Sequence, residues 1–279
     1  MNINPMKINL EKTGEKKATV SPKKRLGQNF LTEVGIINKL VAAAGIEPGQ
    51  TILEIGPGTG NLTEKLLETG NKVLAVEKDE EMISLLETRF TGKSNFELRQ
   101  GDALEFDETA IKPPYKIAAN LPFYLTAALI RKFLESKNPP ESMTVIVQKE
   151  VAQRVCAAPP DMNLLAAAVQ FYADTKIISF ISKGCFWPMP KVDCAILHIA
   201  PHSGAGEAGN EKSSREFFTV MKAGFLQPRK QLAGNLAKGL KISKTLAEEK
   251  LRQNGIDPKQ RAETLEIKDW LGLAKDFEL

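Results

Sequence analysis

Asn120-Leu121-Pro122-Phe123 sets an amide, a proline and an aromatic ring in succession. Together they suit one task, which is holding a planar ring that carries an exocyclic amine. The side-chain oxygen of Asn120 accepts from one N–H of the amine, and the carbonyl of residue 121 accepts from the other. Pro122 fixes its own φ and biases Leu121 towards extended backbone, which aims that carbonyl. Phe123 offers a π face for stacking. Read alone, the tetrapeptide is equally a strand that ends in a turn. The rest of the chain decides between the two.

A second constellation lies upstream. Glu54-Ile55-Gly56-Pro57-Gly58-Thr59-Gly60 joins an apolar strand to a helix. Gly56 and Gly58 let the backbone approach a ligand closely, and the helix N-terminus directs free N–H groups at it. Glu77 ends the next strand, 21 residues after Gly56. A carboxylate there accepts from both hydroxyls of a ribose. Asp102 follows the third strand and Gly101, and can accept from the amino group of an adenine. The layout suits an adenosyl ligand, either a dinucleotide or S-adenosylmethionine. The spacing is G-x-G-x-G; the dinucleotide fingerprint has its third glycine one residue later, where this chain has Asn61. These residues and Asn120 all fall at the carboxyl ends of strands, where open α/β sheets bind ligands.

The elements that must position them alternate. Strand patterns cover residues 51–55, 72–76, 96–100 and 115–119, with helices over 61–68, 80–89 and 125–134. A strand over 143–148 follows, then helical patterns over 150–157 and 164–172. Two late strands, 176–181 and 192–199, bracket a Pro-rich segment. This order predicts an α/β fold: a Rossmann-like, doubly wound sheet, mostly parallel with one antiparallel strand. Residues 203–214 read as a Gly/Ser-rich linker. Beyond it every pattern is helical, so a small all-helical domain is expected over 215–279. The α/β domain then spans 21–202, preceded by a flexible basic extension over 1–20.

Composition narrows the function classes. No apolar run approaches the ~20 residues of a membrane span, and the N-terminus reads as neither secretory signal nor transit peptide. The expected location is the cytoplasm. Cys156, Cys185 and Cys194 give neither a disulfide framework nor zinc spacing, and His198 and His202 sit in no triad or metal pattern. No metal is expected. The net charge of +4 hides an asymmetry: residues 1–25 carry +5, residues 211–279 carry +4, and the middle carries −5. Basic ends around an acidic middle suit a polyanionic partner.

The ordered motifs resemble the small-subunit ribosomal RNA adenine dimethyltransferases, which are class I S-adenosylmethionine-dependent methyltransferases. The resemblance covers about residues 22–272. It opens with Lys24-Arg25-Leu26-Gly27-Gln28-Asn29-Phe30-Leu31 and continues through the glycine loop, Glu77, Gly101-Asp102 and Asn120 to Phe123. Gln148-Lys149-Glu150-Val151 and Phe186-Trp187-Pro188-Met189-Pro190-Lys191-Val192-Asp193 follow. Arg229-Lys230, Asn235-Leu236, Gly255-Ile256-Asp257-Pro258 and Arg261-Ala262-Glu263 complete it. The resemblance implies that S-adenosylmethionine contacts Asn29, Leu31, Gly56, Glu77, Asp102 and Asn120, beside Gly58 of the loop. It implies a substrate of two adjacent adenosines in a hairpin loop near the 3′ end of 16S ribosomal RNA, presented on an immature small ribosomal subunit. It also implies that the helical domain docks on RNA. The chain departs from the family at Phe123, where Tyr is common, at residues 159–164, which lack a Tyr-Gly, and at Pro228, which replaces an Arg.

On this reading Asn120 and the Leu121 carbonyl position the amine and favour a more tetrahedral nitrogen. Phe123 and Phe186 hold the two faces of the flipped adenine. Lys23, Lys24, Arg25, Lys222, Arg229, Lys230 and Lys238 make phosphate contacts. The protein is expected to act as a monomer. Two alternatives stand beside it. One is the related large-subunit enzyme that confers macrolide resistance, against which the stretch Ile256-Asp257 to Glu263 argues. The other is an RNA-binding assembly or transcription factor that keeps the fold without catalysis.

Overall fold

The computed structural model describes residues 6–8, 18–23, 26–202 and 211–277. The contacts expected of Lys24 and Arg25, and most of the expected linker, lie outside these residues. Within the N-terminal stretch expected to be flexible, β1 (Met6–Ile8) pairs antiparallel with β2 (Ala18–Val20). Next come β3 (Phe30–Leu31) and α1 (Val34–Ala43).

The alternating segment then runs β4 (Thr51–Ile55), α2 (Asn61–Glu68), β5 (Lys72–Glu77), α3 (Glu80–Arg89) and β6 (Phe96–Gln100). It continues with β7 (Tyr115–Asn120), α4 (Thr126–Leu134) and β8 (Ser142–Gln148). After α5 (Lys149–Val155) and α6 (Leu164–Gln170) come β9 (Ala173–Ile181), β10 (Phe186–Trp187) and β11 (Cys194–Pro201). The last elements are α7 (Glu211–Gly224), α8 (Leu232–Leu240), α9 (Lys244–Gln253) and α10 (Ile267–Phe277).

Seven strands form one sheet in the order β6-β5-β4-β7-β8-β11-β9. The first five are parallel, and β11 runs antiparallel to β8. Helices cover parallel strands on both faces, so such strands are apolar almost throughout. Accordingly β4 and β5 are buried along nearly their whole length, and Glu54 of β4 is carried into the interior with them. Strand order reverses at β4, which has β5 on one side and β7 on the other. A crevice opens there, between the strand ends that carry Gly56 and Asn120. Asp79 caps α3 by accepting from the Glu81 amide at 3.1 Å.

The chain forms two compact units: residues 1–152 with 176–201, and residues 153–175 with 202–279. In the second unit Phe217, Met221, Leu232, Leu236, Leu251 and Trp270 build the core, and Met162, Ala166 and Ala167 join it. The sequence boundary at 202 left residues 153–175 with the sheet. The apolar stripe of α6 shows that the helix must be buried, but not which core receives it.

Candidate active site

At the carboxyl ends of β4, β5 and β7 lies a cavity walled by the glycine loop, Glu77, Asp102, residues 120–125 and the segment 26–31. Asn29, Leu31, Gly56, Gly58, Glu77, Asp102 and Asn120 all border it.

The glycine loop is shaped by contact as well as by turn geometry. Gly60 caps α2 with φ +84°, and a Cβ there would sit 2.8 Å from Phe90 and 2.9 Å from Leu86. Gly60 therefore lets the start of α2 pack closely against the end of α3, where the third glycine of a dinucleotide fingerprint instead serves helix–strand packing. Asn61 has another task. Its Nδ2 donates to the Leu31 carbonyl at 2.9 Å, and its Oδ1 accepts from Arg89 at 3.0 Å.

Glu77 is 7% exposed. One carboxylate oxygen accepts from the amides of Lys78 (2.8 Å) and Asp79 (2.9 Å), the other from the Gly58 amide (3.1 Å). Burial pushes its pKa up, and these amide bonds oppose the shift. The carboxylate thus ties β5 to the glycine loop, and of its roughly four acceptor sites the amides leave one on Oε2. Asp102 accepts from Lys78 Nζ at 2.8 Å and from the Leu104 amide at 2.9 Å. The Lys78 bond is the main reason its carboxyl titrates below the usual range.

Glu54, 1% exposed, also borders the cavity and has one carboxylate oxygen without a partner. Burial pushes its pKa up to about 8, and the Glu77 charge adds to the shift. Nothing in the sequence pattern sets Glu54 apart from the rest of the loop motif.

The Asn120 side chain is held by one hydrogen bond. Its Nδ2 donates to the main-chain carbonyl of Asn29 at 2.8 Å, while its Oδ1 is buried and unpartnered. Leu121 is fixed through its amide to the Ile146 carbonyl at 3.2 Å. Pro122 and Phe123 both border the cavity. Phe123 is half-buried against the sheet core.

Phe186 sits elsewhere than expected. It pairs with Leu31 in the two-stranded β3–β10 ladder, and its side chain is 4% exposed within the core. It does not border the cavity, so the second stacking face assigned to it is turned into the interior. Tyr124 also borders the cavity, and nothing in the sequence pattern points to it.

Segment 26–31 is tied down by side chains. Both Lys23 Nζ and Gln28 Nε2 bond to the buried carboxylate of Asp79, the latter at 2.8 Å. Lys23 also pairs with Glu81 at 3.3 Å. Burial would raise the Asp79 pKa, but Lys23, Gln28 and the Glu81 amide hold it below the usual range. Lys23 was expected to meet RNA phosphate; its charge is spent on this anchor.

In the helical unit Arg229 and Lys230 share a concave surface with Lys244, Lys259 and Arg261. Residues from α9 and the loop before α10 thus join a motif that sequence alone showed as two adjacent cations. Lys222 and Lys238 are exposed but do not border this surface.

Comparisons with known proteins place the chain in a family. Residues 20–278 match the family described as "Ribosomal RNA adenine dimethylase". A "Ribosomal RNA small subunit methyltransferase A" of Dehalococcoides mccartyi is 43% identical over 263 residues, covering 93% of this chain and 89% of that protein. A protein of the same name from Clostridium botulinum is 38% identical over 252 residues, with 88% and 90% covered. Among solved structures, a dimethyladenosine transferase from Plasmodium falciparum has a TM-score of 0.75 at 26% identity, covering 89% of this chain and 97% of that one. The 23S rRNA methyltransferase ErmE reaches 0.73 at 21% identity, with 90% and 100% covered, and supports the fold alone. With a match spanning nearly its whole length, the chain belongs to the ribosomal RNA adenine dimethylase family.

Proposed function

We propose that this protein dimethylates the exocyclic amines of two adjacent adenosines in 16S ribosomal RNA, on an immature small subunit, as an S-adenosylmethionine-dependent methyltransferase. The observation that carries the reading is the Asn120 amide, whose donor end is tied to Asn29 and whose acceptor end is buried and unpartnered beside the cavity. A buried acceptor without a partner costs about 1–3 kcal/mol. An incoming N–H donor recovers that cost. The relatives named as small-subunit methyltransferases support 16S RNA as the target.

The cavity fits the cofactor. Its glycine loop has no room for larger residues: a Cβ on Gly58 would meet the Phe30 ring at 2.9 Å. Glu77 would take the ribose hydroxyls, Asp102 the adenine amine, and Gly56, Asn29 and Leu31 the remaining walls. When bound, S-adenosylmethionine supplies a methyl group already activated by its sulfonium.

The chain's own residues position and polarise. Asn120 Oδ1 and the Leu121 carbonyl accept from the two N–H groups and draw the nitrogen lone pair out of conjugation with the ring. Phe123 supplies a stacking face. The nitrogen needs no base before attack, because it becomes acidic only as it bonds to carbon, and its proton then passes to water. After one transfer an N–H remains for the same acceptors, which permits a second. The monomeric, cytoplasmic protein would dock through Arg229, Lys230 and the cations around them.

The test is transfer of labelled methyl from S-adenosylmethionine to unmethylated small subunits, with the modified nucleotides mapped. Two adjacent dimethylated adenosines are expected. Preferential labelling of large-subunit RNA, or none of either, overturns the proposal.

A further inference from the structure

We infer that Tyr124 is a substrate-positioning residue that stacks on the nucleotide next to the adenosine held by Asn120, an inference that rests on the function proposed above. Tyr124 is a large aromatic left 58% exposed at the border of the cavity. Its position is built rather than incidental. One edge of its ring rests on Gly27, whose φ is +62°, and a Cβ there would lie 3.2 Å from ring carbon Cδ1. A side chain at Gly27 would push the ring outwards by a few tenths of an ångström, and the positive φ itself favours glycine there.

The two consecutive aromatics divide the work. Phe123 is half-buried against the core and faces the cavity; Tyr124 keeps most of its ring in solvent at the edge. When one of two adjacent adenosines leaves its stack to enter the cavity, its neighbour loses a stacking partner and remains at that edge. An aromatic face there replaces the lost partner. Lys78, largely exposed and paired with Asp102, adds a cation to the same border. An aromatic beside a cation is the combination that binds single-stranded RNA. Stacking tolerates any base, so one ring serves whether the first or the second adenosine occupies the cavity.

The experiment uses the full chain and unmethylated small ribosomal subunits. For Tyr124→Ala, Tyr124→Leu and Tyr124→Phe one measures S-adenosylmethionine affinity, KM for subunits, single-turnover rate and the methyl count on each adenosine. Tyr124→Ala and Tyr124→Leu should raise KM by about tenfold or more, as expected for one lost base stack, with the second adenosine lagging the first. Tyr124→Phe should restore wild-type behaviour, and cofactor affinity should hold in all three, which also shows that they fold. Unchanged KM and an unchanged methyl distribution in Tyr124→Ala overturn the inference. So does a fall in cofactor affinity that matches the loss of activity, since the ring would then belong to the cofactor wall. If wild type itself leaves adjacent adenosines unmethylated, the proposed function falls first and this inference with it.

Discussion

The main-chain carbonyl of Asn29 accepts from Nδ2 of Asn120 at 2.8 Å, across 91 residues of sequence, and so decides which end of the amide is left without a partner. Turned over, the amide would set oxygen against oxygen. The opening motif of the chain therefore acts on the turn at residues 120–123 as well as on the cavity wall.

Removing that amide is the sharpest test of the chemistry. Asn120→Ala should cut single-turnover methyl transfer by roughly a hundredfold or more, the usual loss for one preorganised polar group. Cofactor and subunit affinity should stay near wild type. Phe123→Ala should be damaging and Phe123→Tyr mild, because the ring's face is what is used. Near-normal transfer by Asn120→Ala would remove it from the mechanism.

Glu77 should dominate recognition of the ribose. Glu77→Ala should weaken S-adenosylmethionine binding by about 1–3 kcal/mol for lost hydrogen bonds to a charged acceptor. Calorimetry on the folded variant checks this, and unchanged affinity would take Glu77 out of the site. Wild type should bind NAD poorly, because the third glycine of a dinucleotide loop is replaced by Asn61, whose side chain is bonded to the Leu31 carbonyl and Arg89.

Glu54 should make stability depend on pH. Its folded pKa, about 8, lies above the unfolded value near 4.5. Between these values the unfolded chain loses a proton that the folded chain keeps. Stability is therefore greatest below about pH 4.5 as far as this group is concerned, falls as pH rises to about 8, and is level beyond. Glu54→Gln should abolish this slope and stabilise the protein at pH 8 by a few kcal/mol, roughly. Urea titrations at pH 5 and 8 compare the two proteins; equal slopes would place an ionised carboxylate at Glu54 throughout.

The concave basic surface should bind phosphate. Replacing Arg229, Lys230 or Arg261 by Ala should weaken subunit binding and flatten its log–log salt dependence by up to about one unit per lost contact. Cofactor affinity should not change. An unaltered salt slope would make these cations a solvated face.

Central strands such as β4 and β5 were legible because burial on both faces leaves a continuous apolar signature, and the edge strand β6 because its residues alternate; the ends of β4 and β6 were read to the residue. Asn120, Glu77 and Asp102 could be placed because they follow such strands. What escaped detection lacks periodicity. β3 and β10 have two residues each, and their pairing is what turns Phe186 into the core. Lys23 looked like a free cation because its partner, Asp79, lies 56 residues away. Lys244, Lys259 and Arg261 join Arg229 only through the helical fold. Tyr124 was overlooked because nothing in a run of aromatics tells which ring remains in water.

Segment 26–31 stands outside the seven-stranded sheet and is tied to it by few bonds: Asp79 to Lys23 and Gln28, Asn61 to Leu31, Asn120 to Asn29, and the short β10 ladder. A wall so fastened opens at far lower free energy than the sheet beneath it. Amide exchange should then occur on two clocks, fast for residues 26–31 and slow for β4 and β7. Each spent cofactor can leave by loosening the fast part alone, so four methyl transfers to one pair of adenosines need no disturbance of the sheet that orients them.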